Sequence, residues 1–123
     1  MIMNLLKETL AEIESLGKTP KDIVFIGNVD SRNAFSVEEH YYCSWDEFVV
    51  LADREYDSGY GSAQVPLDLK IVFDDNTWFE RYAYDGRECW VYQELCSVPT
   101  EVKQIKNLFS LDGFECSLAE INK

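Results

Sequence analysis

The dipeptide Asp85-Gly86 stands between two runs rich in aromatic and β-favouring residues, Thr77 to Tyr84 and Arg87 to Glu94. A two-residue hairpin loop needs positive φ at its central positions, which Asp and Gly tolerate, so the pair predicts an antiparallel hairpin. A loop of that length also fixes the register. Tyr84 then faces Arg87, Tyr82 faces Cys89, Glu80 faces Val91, and Arg81 lies opposite Trp90, where cation and ring can stack. A polar turn at Asp74-Asp75-Asn76 joins Leu69 to Phe73 onto the same hairpin, giving a three-stranded meander over about 69–94. The short run Ile23 to Gly27 is a further strand that extends it.

Helical spacing flanks this sheet. Leu5, Leu6, Thr9, Leu10, Ile13 and Leu16 fall along one side of a helix over about 4–16, and Gly17 supplies its stop. Ser44-Trp45-Asp46-Glu47 has the form of a capping box, opening a helix over about 44–56 whose apolar stripe is Trp45, Phe48, Val49, Ala52 and Tyr56. After Pro99, the residues Val102, Ile105, Leu108 and Phe109 predict a third helix over about 100–109, with a short last turn near Leu118 and Ile121. Residues 28–43 show no readable period. The expected fold class is α+β: a small antiparallel sheet packed with two or three helices, in a single domain over residues 1–123. A chain of this size buries about 65–70% of its unfolded surface, enough for one core.

Charge narrows what such a domain can do. The chain holds 23 acidic and 11 basic residues, a net charge of −12, and residues 28–88 alone carry 14 of the acids against five cations. A surface of this sign repels phosphate backbones and anionic membranes and attracts basic protein grooves. Direct nucleic-acid or membrane binding is therefore not expected. No apolar stretch reaches the ~18 residues of a membrane span, and Met1 to Leu10 lacks the basic start and apolar run of a signal peptide, which predicts a cytosolic protein.

Enzyme chemistry finds little to work with. The one histidine, His40, lies in Glu38-Glu39-His40-Tyr41-Tyr42, and no nucleophile elbow surrounds Ser44, Ser58 or Ser62. Gly59-Tyr60-Gly61 follows a predicted helix and precedes a strand, the reverse of a phosphate-binding order. Cys43, Cys89, Cys96 and Cys116 are separated by 45, 6 and 19 residues, which fits no zinc or redox spacing and predicts buried free thiols. No window has the alternating oxygen ligands, central glycine and distal glutamate of a calcium loop, so neither metal nor cofactor is expected.

The remaining candidate is a binding surface. On the predicted helix after Ser44, Asp46, Asp53 and Asp57 share an outward side with Glu47 beside them, forming a carboxylate ridge. DNA carries one charge per ~1.7 Å of axis over both strands, so a ridge this sparse would imitate it only with help from Asp30, Glu38, Glu39, Asp74 and Asp75. Asp74 and Asp75 also have a simpler reading as turn residues. Tyr41, Tyr42, Tyr60, Trp78, Tyr82, Tyr84, Trp90 and Tyr92 exceed what one small core readily hides; Tyr60, in its glycine loop, is the one expected to join the acidic surface as an anchor.

Three stretches, Trp45-Asp46-Glu47-Phe48, Leu51 to Gly61 and Arg81-Tyr82-Ala83-Tyr84-Asp85-Gly86-Arg87-Glu88-Cys89-Trp90, resemble a family of small proteins encoded by phages and prophages of Gram-positive bacteria. The resemblance covers roughly residues 18–95, about two thirds of the chain. It carries no catalytic role. Arg87-Glu88-Cys89 stands where the family is more polar, and residues 28–43 form an unusually acidic and aromatic insertion. What the resemblance implies is a phage protein similar in general character to inhibitors of host nucleic-acid-directed defence, among them anti-CRISPR proteins and DNA mimics. A Cas9-type effector, with its basic channels for nucleic acid, is a fitting target for such a protein. The alternative is a phage accessory or assembly protein whose acidity serves only solubility.

Overall fold

The computed structural model describes residues 2–28, 40–59, 64–84, 87–94, 101–110 and 116–123. Strands β1 (Ile2–Asn4), β2 (Ile23–Asn28), β3 (Tyr41–Tyr42), β4 (Glu55–Asp57), β5 (Leu69–Phe73), β6 (Thr77–Tyr84), β7 (Arg87–Glu94) and β8 (Lys103–Gln104) alternate with helices α1 (Leu5–Ser15), α2 (Trp45–Ala52) and α3 (Leu118–Ile121). Six strands form one sheet in the order β7-β6-β5-β2-β3-β8, antiparallel throughout except for β3 against β8, while β1 and β4 make a separate antiparallel pair. The class is α+β.

The meander has the predicted bounds and register: Tyr84 pairs with Arg87, Tyr82 with Cys89, Arg81 with Trp90 and Glu80 with Val91. The turn residues Asp85 and Gly86 themselves lie outside the described residues. At the other turn, Asn76 takes φ 67°, a conformation in which asparagine is enriched. β2 joins the meander along β5, with a register shift between Ile23 and Phe25.

Helix α1 starts at the side chain of Asn4, whose Oδ1 accepts from the Lys7 amide at 3.0 Å. It stops at Gly17, whose φ of 71° lets the amides of Gly17 and Lys18 reach back to Glu14 and Ile13. Leu5, Thr9 and Ile13 are its buried residues, whereas Leu10, expected inward, is 40% exposed. Leu5 and Ile13 join Phe48 and Ala52 of α2, Leu118 of α3, and Ile26, Leu69, Ile71, Phe73, Phe79 and Trp90 of the sheet in one core. Side chains on the opposite sheet face, Phe25 and Val72, form a second small cluster with Tyr42 and Trp78.

Two predicted helices need correction. The helix expected over 44–56 ends at Ala52, and Glu55–Asp57 instead pairs with Ile2–Asn4. Beyond Ala52 only Tyr56 continues the apolar stripe, and in the extended strand it is 3% exposed, its hydroxyl directed to an internal ion cluster. The helix expected over about 100–109 is absent among the described residues of that span. Lys103–Gln104 is a strand, and the amides of Lys106 and Asn107 donate to Oδ1 of Asn122, at 2.6 and 2.8 Å, so they are not available to a helical ladder. Ile105, Leu108 and Phe109 still reach the core, from an irregular segment. The short last turn is present as α3.

Cysteines differ in part from the expectation of buried thiols. Cys43 is buried and burial pushes its thiol up to about 12, but Cys89 is exposed and Cys116 half-buried. Cys96 lies outside the described residues.

Candidate binding surface

Helix α2 supplies the part of the predicted acidic surface that stands together. Ser44 and Glu47 form the expected capping box: the Ser44 hydroxyl accepts from the Glu47 amide at 3.2 Å, and the Glu47 carboxylate accepts from the Ser44 amide at 3.0 Å. Asp46 and Glu47 are exposed in the first turn, where negative charge also suits the helix dipole. Asp53 is the C-cap residue seven positions after Asp46, two turns on and ~10 Å along the same side. Its carboxylate accepts from the Asn4 amide side chain at 3.0 Å. Between the two acids stands Val50, 77% exposed and outside the apolar stripe expected of this helix.

A shallow concavity of about 330 Å³ borders this face, with Val50, Leu51, Asp53 and Arg54 on one side and Lys106, Asn107, Leu108 and Phe109 on the other. The Arg54 guanidinium lies over the Phe109 ring at 4.8 Å. Apolar surface and a carboxylate meet here, an arrangement that accepts a cationic side chain together with its aliphatic stem.

The other predicted site residues do not converge on this face. Asp57, on β4 and half-buried, accepts from the Gly59 amide at 3.0 Å, so it is not the third tooth of a helical ridge. Asp75 is tied to Lys18 at 2.5 Å and accepts from the amide and hydroxyl of Thr77 at 3.1 and 2.5 Å. Since Asp53 touches Asn4 before α1 and Asp75 touches Lys18 after it, the ~16 Å length of an 11-residue helix lies between the two acids. Asp74 is exposed at the same turn as Asp75, and the turn reading fits both. Asp30, Glu38, Glu39 and Tyr60 lie outside the described residues.

Hydrogen bonds from Lys18 and Thr77 hold the Asp75 carboxyl down to about 2. A carboxyl depressed on folding stabilises above its unfolded value near 3.9, and that contribution fades as pH falls towards 2. NMR titration of the Asp75 carboxyl is expected to give a midpoint close to 2, returning towards the ordinary value in K18M.

Several acids are turned inward and leave the surface field. The most developed case is a cluster around Arg81, whose side chain has no exposed surface. Its Nη1 donates to Glu8 at 3.2 Å, and its Nη2 donates to Glu88 and to the Tyr56 hydroxyl, each at 2.9 Å. Tyr56 in turn donates to Glu8. Burial alone would lower the guanidinium pKa, but Tyr56, Glu8 and Glu88 hold it above its ordinary value. The plane lies 4.8 Å from the centre of the Trp90 ring, realising the predicted stack, and the Trp90 indole donates to Thr9 at 2.9 Å. Glu88 also accepts from the amides of Gln64 and Val65 at 2.7 and 3.2 Å. The cluster thus clamps α1, β4, β6, β7 and the Gln64-Val65 segment together. Asp68 is likewise internal: burial raises its pKa against hydrogen bonds from the Leu118 amide at 2.9 Å and Asn28 at 3.4 Å.

His40 places Nδ1 2.9 Å from the Asn28 carbonyl. Among the described residues no group of three or more His, Cys, Asp or Glu side chains is placed to hold a metal ion, and no helix is long and apolar enough to cross a membrane. Of the aromatics considered as anchors, Tyr41 and Trp90 belong to the core, and Tyr82 and Tyr92 are exposed at 52% and 37%.

The chain matches no protein-family model, no curated protein and no solved structure.

Proposed function

We propose that this is a non-enzymatic, phage-encoded inhibitor that binds a host nucleic-acid-directed defence nuclease in the host cytosol, in the manner of an anti-CRISPR protein acting on a Cas9-type effector. The observation that carries the reading is the exposed α2 face, where Asp46 and Asp53 flank the exposed Val50. A groove that holds nucleic acid is lined by arginine and lysine, and such side chains find both a carboxylate and an apolar resting surface here. The net charge of −12 steers the protein towards basic grooves. The contact is narrower than a strip of DNA-like charge: two or three carboxylates around an apolar centre, with Asp75 and Asp57 engaged elsewhere.

Capture from host lysate, with and without added nucleic acid, tests the reading. The wild-type chain is expected to retain a basic nuclease. D46K/D53K, which places cations against the basic groove, is expected to bind about tenfold or more weakly, ~1.4 kcal/mol. Capture of no nuclease, or equal capture by the reversed variant, would remove the reading and leave acidity to solubility alone.

A further inference from the structure

Among the described residues, a concave site lined without a carboxylate side chain stands out on this acidic chain. Between β8 and the end of α3, Tyr41, Lys103, Gln104, Lys106, Asn122 and Lys123 surround a concavity of about 580 Å³. Three of the protein's 11 basic residues meet there. Three cations elsewhere are neutralised: Lys18 by Asp75, Lys70 by Glu80, and Arg81 by Glu8 and Glu88. Among the described residues, Lys106 and Lys123 have no such partner. The side chains of Lys106 and Lys123 make the lining positive.

The lysines come from two chain segments held in a fixed relation. Asn122 joins them, accepting from the amides of Lys106 and Asn107 through Oδ1 and donating through Nδ2 to the carbonyls of Asn107 and Leu118 at 3.0 and 2.8 Å. Lys103 is positioned from the other side, by the pairing of β8 with β3 and by its amide, which donates to the His40 carbonyl at 2.5 Å. Its ammonium lies 6.0 Å from the centre of the Tyr41 ring. The backbone segments that carry the lysines are thus in place before a ligand arrives, which reduces the ordering cost of binding.

We propose that this concavity binds a phosphate-bearing polyanion. The overall field of the protein opposes a singly charged anion, so the site favours ligands dense enough in charge to engage several lysines within a Debye length of ~8 Å. The proposal is independent of the inhibitor reading, because the concavity differs from the α2 face in sign and shares only Lys106 with the neighbouring groove.

The test is an amide chemical-shift titration of the whole chain, with inorganic tripolyphosphate in one arm and a short oligothymidylate in the other. Saturable shifts are expected at Gln104, Lys106, Asn107 and Asn122. A response to tripolyphosphate alone identifies a small-anion site; a response to both identifies a nucleic-acid backbone as a source. For two neutralised phosphates on a single strand, oligothymidylate affinity should fall roughly 7-fold between about 50 and 200 mM salt. K106E/K123E should weaken either response at least about tenfold. K7E/K21E changes net charge equally through two exposed lysines elsewhere and should leave the response in place. No saturable shift at these amides in either arm overturns the site, as does equal weakening by both double variants.

Discussion

R81M is expected to lower the melting temperature by about 10 to 20 °C. Removing the cation leaves Glu8 and Glu88 facing each other across a site from which solvent is nearly excluded, with side chains 9% and 3% exposed. Breaking a buried ion cluster from one side costs about 3–5 kcal/mol, because the remaining charges lose compensation they cannot regain from water. Each kcal/mol shifts the midpoint by a few degrees for a chain of this size. The triple variant E8Q/R81M/E88Q removes all three charges and should melt above R81M, since the cost lies in uncompensated charge more than in lost packing. Thermal unfolding followed by circular dichroism distinguishes these outcomes. A midpoint within a degree or two of wild type for R81M would show that the cluster does not clamp the fold.

Replacing Gly27 by alanine is the second large effect. A Cβ at this position would lie 1.9 Å from the Tyr41 carbonyl oxygen and within 2.9 Å of the Phe25 ring. The carbonyl belongs to the paired strand β3 and cannot swing aside as a flexible side-chain end would, so β2 and β3 must separate. Overpacking ordinarily costs about 1–3 kcal/mol, and a main-chain collision belongs at or beyond the upper end. The damage should spread in one direction. β8 is attached through β3, with the Ile105 amide donating to the Tyr42 carbonyl at 2.7 Å, so amide exchange should accelerate from Tyr41 to Cys43 and from Lys103 to Ile105. The β5-β6-β7 meander should keep most of its protection. Uniformly raised exchange would contradict that division, and unchanged exchange would contradict the close approach itself.

The meander was legible because a local turn fixes it: once Asp85-Gly86 sets the loop length, every pair along β6 and β7 follows, including Arg81 with Trp90. Caps were legible for the same reason, as at Asn4, Ser44 and Gly17. Residues whose partners are distant in sequence were not. Tyr56 and the acids beside it read as the last turn of a helix, because nothing near them reveals that Ile2–Asn4 offers a strand or that Arg81 offers a cation. Ile105, Leu108 and Phe109 have helical spacing, but the backbone donors of Ile105, Lys106 and Asn107 are claimed by β3 and by Asn122, again remote.

The acidic site was legible in part. Asp46, Glu47 and Asp53 remain on one exposed face because seven positions are two turns even when the helix stops early. Asp57 left that face when the helix ended, and Asp75 proved to be turn chemistry paired with Lys18. Val50 and the lysine-lined concavity went unselected, since counting charge along the chain favours the acidic middle. Lys103, Lys106 and Lys123 supply all the basic residues after Arg87, a signal available in the sequence.

If the α2 face binds a basic nuclease, the most direct measurement is the affinity of that nuclease for the wild-type chain and for D46K/D53K, each at low and high salt. The predicted result is wild-type binding that weakens as salt rises and a reversed variant about tenfold or more weaker at low salt, with the gap narrowing as screening increases. Equal affinities for the two chains, or a wild-type affinity indifferent to salt, would contradict it.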